Sequence, residues 1–298
     1  MIDFIIFIFF LIAGWLLRHS ASSYLSMLLK SIAYYTLLTF VVVSLWLYGL
    51  PDQSWELIML GGLLQLIPSA IGASLGEKHY GKEFLLFSTF GGGNRGTLAL
   101  SLLSPALLPI FVLIDLGNFM SLILFYPSLI KWGLQQRNTN NKKNSNIASL
   151  FTSLLILATG FTLNNTDMGL KSGVIENIHH IIKILLIVLT SLQIGLHLQL
   201  NKSCLKWTLK NLIKVRLISL ILPLLLAIWL IPDTLNGTIL VLLLFSILPV
   251  SSLVVSLLPK ETDTIFQQQL ACAVTASTAI FLVILIILLS AEYLYVLF

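Results

Sequence analysis

Charge is what this sequence has least of. Lys, Arg, Asp and Glu supply 10% of its 298 residues, where a soluble domain carries about 25%. Hydrophobic residues make up 57% and the mean hydropathy is +0.98, which leaves no room for a sizeable soluble domain. Cysteine is nearly absent too. Cys204 and Cys272 fall in no CxxC or metal-ligand spacing, so neither a disulfide framework nor a metal site is indicated. No nucleotide-binding motif, no His/Asp/Ser spacing and no cofactor signature is present, which argues against an enzyme. The net charge of +5 does not imply nucleic acid, because the basic residues sit in short connections between apolar runs. The N-terminus lacks a basic region ahead of Phe4–Leu17, and Arg18 follows that run, so it reads as a retained helix rather than a cleaved signal.

What is abundant is long apolar runs. A helix crosses a bilayer with roughly 17–25 mostly apolar residues. Ten segments are expected to do so: Ile2–Leu17, Tyr24–Leu47, Leu57–Leu75, Phe84–Leu103, Leu108–Ile130, Ile147–Leu163, Val174–Leu198, Leu205–Ile231, Gly237–Leu258 and Thr264–Ser290. The expected fold is an all-α polytopic membrane protein in the cell inner or plasma membrane, with the lipid bilayer as its principal partner.

Counting Lys and Arg on alternate sides of these spans puts fourteen on one side, Arg216 among them, and only Lys171 and Lys183 on the other. The excess of positive charge marks the cytoplasmic side, so both termini are expected outside. The longest polar connection, 131–146, contains RNTNNKKNSN and reads as a cytoplasmic linker. It divides the chain into a five-helix half, 1–130, and a second, 147–298. Because five is odd, the halves enter the membrane from opposite sides, the arrangement of an inverted repeat.

The fourth span breaks in its middle: FLLFSTFGGGNRGTLALSLL places three glycines, Asn94 and Arg95 between two apolar runs. Irregular backbone at membrane depth is tolerated only where it is buried in protein or lines a cavity. The ninth span breaks as well, at Pro249 followed by Ser251 and Ser252, since proline removes a backbone donor and disrupts the preceding turn. A half-helix from Phe84 to Phe90 is about 10 Å long, which brings both breaks near mid-membrane. Crossed broken helices four and nine are therefore expected.

Their residues suit an anion. A half-helix starting near Thr97 presents free N–H groups and a positive dipole end. Gly91–Gly93 permit close backbone approach, Asn94 both donates and accepts, and Arg95 offers a planar fork matched to carboxylate. A mid-membrane arginine costs about 3 kcal/mol and needs a partner. Two roles stand open for Arg95: an ion pair with Asp115 in the fifth span, or contact with substrate. Asp115 alone would also serve as a proton carrier. Asn118, at i+3 from Asp115, faces the same cavity or bonds a neighbouring helix. The expected substrate-binding residues are Gly93, Asn94, Arg95, Asp115, Asn118, Pro249, Ser251 and Ser252. Gln65, Gln193 and His197 read as interhelical hydrogen-bonding residues, and Glu176, His179, His180 and Lys183 as a snorkelling, mutually paired cluster near a helix end.

The segments FGGGNRGTLAL (90–100), VLIDLGN (112–118), LTSLQIGLHL (189–198), FSILPVSSLVVSLL (245–258) and ACAVTASTA (271–279) resemble the auxin efflux carrier family. Its bacterial branch includes carriers of malate-like and other organic anions. The resemblance implies a mobile transport domain of spans three to five and eight to ten, moving against a scaffold of spans one, two, six and seven, with a homodimer contact through the scaffold. It places Asn94 and Pro249 at the crossing, with Asp115 and Asn118 beside it. Two features depart from the family: Arg95 stands where relatives have a small or neutral residue, and the first break holds glycines and no proline.

The function expected is secondary active transport of a small organic anion by alternating access. The alternatives are a sodium-coupled symporter of the bile-acid type, which needs a dense set of oxygen ligands, and a non-transporting membrane protein, which has no use for paired mid-membrane breaks.

Overall fold

The computed structural model describes residues 2–20, 23–76, 78–134, 155, 158–160, 162–164, 172–198, 202–232, 235–254 and 264–297. Among these residues every regular element is helical. We number the helices α1 (Ile2–Leu17), α2 (Ser23–Tyr48), α3 (Ser54–Leu75), α4 (His79–Phe87), α5 (Gly93–Leu103), α6 (Leu108–Leu124), α7 (Tyr126–Gly133), α8 (Ser172–His197), α9 (Lys202–Leu230), α10 (Leu235–Ile247) and α11 (Thr264–Leu297). Six of the described stretches are long and apolar enough to cross a membrane: Tyr24–Tyr48, Ser54–Leu75, Pro105–Leu124, Gly173–His197, Lys202–Leu230 and Thr264–Ala291. Backbone polar groups in hydrocarbon must be satisfied within their own segment, and only helices of this kind do that without a closed barrel. The outside agrees: on α9 Leu209, Ile213, Leu217, Ile221, Leu225 and Ile228 are all exposed, an apolar stripe suited to lipid. The protein is a multi-pass, all-α membrane protein.

The helices pack in two groups. In one, α3 lies against α6, α4 and α7, and α9 lies against α11, α3, α10 and α4; in the other, α8 lies against α1 and α2. Small residues set the closest approaches. A Cβ on Gly61 would strike the backbone of Ile114, and one on Gly14 the backbone of Leu192, so both helix pairs depend on backbones that nearly touch. The α5 half-helix and α6 connect the groups, touching α8 or α2.

Several boundaries differ from expectation. The fifth span is two helices, interrupted at Phe125, whose N–H still bonds Ser121 O at 3.0 Å; Pro127 then occupies the first turn of α7, where proline is tolerated. Lys131 belongs to this helix rather than to a linker, and residues 135–146 lie outside the described residues, as does most of the expected span Ile147–Leu163. The tenth span continues to Leu297. Cys204 on α9 and Cys272 on α11, unlinked by any sequence spacing, are brought together with Cα atoms 5.8 Å apart, within the reach of a disulfide. The polar cluster on α8 pairs across helices rather than with itself. Lys183 forms an ion pair with Asp3 of α1 at 2.5 Å, and buried His179 stacks on Phe40 and bonds Ser44 Oγ at 3.1 Å.

Candidate functional site

The first break lies between α4 and α5. Ser88 N–H still bonds Phe84 O at 3.0 Å, and the helix then stops. Gly93 restarts it with φ +43, in the left-handed region where a Cβ is strained. A regular helix would send the Gly93 amide back to the Thr89 carbonyl. Instead it donates to Asp115 Oδ2 at 2.7 Å. The Asp115 carboxylate thus sits at the positive end of α5, a place where the sequence suggested a bound anion beginning nearer Thr97. Its other oxygen accepts from Asn118 Nδ2 at 3.2 Å, and the same amide group reaches Phe90 O at 3.4 Å. Asp115 and Asn118, one turn apart on α6, therefore hold the loop in shape. Gly92 lies so close that a Cβ there would overlap the carboxylate.

The second break follows α10. Leu248 N–H bonds Leu244 O at 3.1 Å, but residue 249 is proline and has no amide for the Phe245 carbonyl. Val250 N–H turns aside to Ser277 Oγ at 2.9 Å. The two breaks then meet directly: Gly91 N–H donates to Pro249 O at 2.7 Å.

Among the carbonyls that the breaks leave without a helical donor are Thr89 O in the first and Phe245 O in the second. A single residue serves both. Arg216, the central residue of α9, donates from Nη2 to Thr89 O at 2.7 Å and from Nη1 to Phe245 O at 2.8 Å. Its guanidinium lies 3.7 Å from the centre of the Phe90 ring, and only 2% of the residue is exposed. This corrects the sequence count, which placed Arg216 with the charges outside the membrane. The signal was present in the periodicity. Lys202, Lys206, Lys210 and Lys214 recur every four residues and are all exposed, whereas Arg216 is two residues on from that stripe, about 200° around the helix.

A cavity of about 810 Å³ opens where the breaks meet α2 and α8. Gly93, Asn94, Arg95, Asp115, Asn118, Ser251 and Ser252 all line it; Pro249 does not, and acts behind it through its carbonyl. Of these side chains, Asp115 and Asn118 are engaged as described. Arg95 does not pair with Asp115, and among the described residues neither the Asn94 nor the Arg95 side chain has a hydrogen-bond or ion-pair partner. Their donors face the cavity. The opposite wall comes from α2 and α8, with Lys30, Tyr34, Thr190, Gln193 and His197. Gln193 and His197 read as helix contacts in the sequence. His197 does bond Ser26 Oγ at 3.3 Å, yet both also border the cavity. Among the described residues buried Thr190 Oγ1 and Asn118 Oδ1 have no partner, leaving polar atoms on both walls. Gln65 is elsewhere: it donates to Ser69 Oγ at 2.7 Å, and Ser69 in turn bonds Ser88 at the end of α4.

These features define the class, a multi-pass helical membrane protein with a largely apolar cavity that carries a few polar and charged side chains at two interrupted helices. No protein-family model matches the chain, and no curated protein matches its sequence.

Proposed function

We propose that the protein is a secondary active transporter that moves a small organic anion, a carboxylate, by alternating access. The observation that carries this reading is Arg95: a permanent cation at a helix interruption, lining a cavity, with no ion-pair partner among the described residues. A cation at membrane depth is costly unless a partner arrives, and a carboxylate fits its planar fork. Asn94 adds a neutral donor and acceptor beside it, and Lys30 a second cation at the exposed end of the cavity.

In this reading the chain has ten spans as two inverted five-helix repeats, 1–130 and 147–298, joined by the cytoplasmic linker, with broken helices four and nine crossing at Gly91 and Pro249. It lies in the inner or plasma membrane with both termini outside. Discounting Arg216 leaves thirteen of the fourteen basic residues on the cytoplasmic side, so the orientation argument stands. The cavity, bordered by the N-terminal part of α2 and the C-terminal end of α8, then faces the cytoplasm. The group containing α3 to α7 and α9 to α11 is the mobile domain; α1, α2 and α8 belong to the scaffold, which also carries a homodimer contact. The auxin efflux carrier family is the family we propose for it, on the motifs that resemble it.

The test is uptake of a panel of mono- and dicarboxylates into proteoliposomes, with Arg95→Ala and Asn94→Ala alongside. Transport of a carboxylate by the wild type that both variants lose supports the reading. Normal rate and affinity in both variants overturns the site, and no uptake of any member of the panel overturns the anion.

A further inference from the structure

The two bared carbonyls have a consequence for energy coupling. In secondary transporters the coupling cation is held by unwound backbone carbonyls and the C-terminal ends of half-helices, where the helix dipole is negative. Thr89 O and Phe245 O are such groups, one from each interrupted segment, and neither has its helical donor: the Gly93 amide is turned to Asp115, and residue 249 is proline. Both oxygens are taken by Arg216. The guanidinium brings a full positive charge, two N–H donors in one plane and a face that stacks on Phe90. It is tethered to α9, so unlike an ion it does not leave in the course of a cycle.

We propose that Arg216 is the resident cation of the crossing. It holds two unwound carbonyls of the kind that coordinate the coupling cation in sodium-coupled carriers, and transport by this protein therefore runs without sodium. The inference rests on the transporter reading for its statement about coupling, but the cation site itself is a property of the fold. It also accounts for the second arginine at membrane depth: Arg95 lines the cavity with no hydrogen-bond or ion-pair partner among the described residues, while Arg216 holds two backbone carbonyls through its Nη atoms.

The experiment uses the full chain in detergent and needs no substrate. Thermal unfolding is followed in sodium, potassium and choline chloride at equal ionic strength, for the wild type, Arg216→Lys and Arg216→Ala. The wild type is expected to unfold at the same temperature in all three salts. Arg216→Ala is expected to unfold lower by roughly 5–10 °C, having lost two charge-assisted hydrogen bonds, and to recover with millimolar guanidinium ion but not with choline. Arg216→Lys, which keeps the charge on a smaller head, is expected to fall between them. A saturable, sodium-specific stabilisation of the wild type overturns the proposal, as does an Arg216→Ala protein that guanidinium leaves unimproved. If Arg216→Ala does not fold, the wild-type salt comparison and the Arg216→Lys value still decide. Carboxylate uptake is then compared in sodium and in choline buffer. Equal uptake supports the inference. Uptake that collapses without sodium overturns it while the transporter reading stands, and absence of uptake in both buffers counts against that reading and leaves the unfolding result in force.

Discussion

The amide of Gly91 donates to the carbonyl of Pro249 at 2.7 Å, so the two interrupted segments are fastened to each other through main-chain atoms. This link depends on proline indirectly. An amide at position 249 would pair with Phe245 O and carry α10 onward, competing with Arg216 and swinging the 249 carbonyl away from Gly91. Pro249→Ala is expected to cut carboxylate uptake tenfold or more, about 1.4 kcal/mol or above, while the unfolding temperature stays within a few degrees of wild type. Uptake at the normal rate would show that the crossing tolerates a continuous helix.

Among the described residues the Arg95 side chain has no hydrogen-bond or ion-pair partner to lose. Arg95→Ala should therefore leave stability within about 0.5 kcal/mol of wild type, as for side chains that make no special contact, and remove uptake. Arg95→Lys keeps the charge but not the fork, and is expected to weaken substrate affinity with less effect on the maximal rate. Parallel unfolding and uptake curves check both, and a large loss of stability in Arg95→Ala would mean that the side chain is structural.

Asp115 behaves in the opposite way. It accepts from the Gly93 amide and from Asn118, so Asp115→Ala strands a partly buried amide and should cost about 1–2 kcal/mol of stability. Asp115→Asn retains one acceptor and should cost less. Equal unfolding temperatures for Asp115→Ala and wild type would remove its role as the fastener of α5.

Gly93→Ala places a Cβ on a residue with φ +43, at about 1–2 kcal/mol, although open space surrounds the position. Gly92→Ala should be worse, because its Cβ overlaps the Asp115 carboxylate and must displace it. The order of unfolding temperatures, wild type above Gly93→Ala above Gly92→Ala, is the outcome to measure.

Lys30 is exposed at the mouth of the cavity. Lys30→Gln should raise the apparent KM for a carboxylate at low ionic strength, and the difference should shrink in high salt as the Debye length shortens. A difference that persists unchanged in high salt would indicate direct contact instead of attraction.

Much of the site could be read from residue order alone. The glycines, Asn94 and Pro249 announce interruptions because they change the backbone itself, and a change in the backbone is visible in one dimension. The partnership of Asp115 with Gly93 could not be read. An acidic residue beside a membrane arginine suggests an ion pair by charge, but the distance between them is set by how α6 lies against the loop. Backbone donors, which carry no letter in a sequence, proved the nearer partners.

The apolar runs by themselves determined that this is a helical membrane protein with two broken segments, because hydrocarbon admits no unsatisfied backbone and hydropathy is local. Only the tertiary structure decided which groups answer the breaks. Arg216 lies far along the chain from Thr89 and 29 residues before Phe245, and it reaches both carbonyls because α9 packs against α4 and α10. The sequence spelled out the vacancies that glycine and proline create; packing alone brought the arginine that fills them.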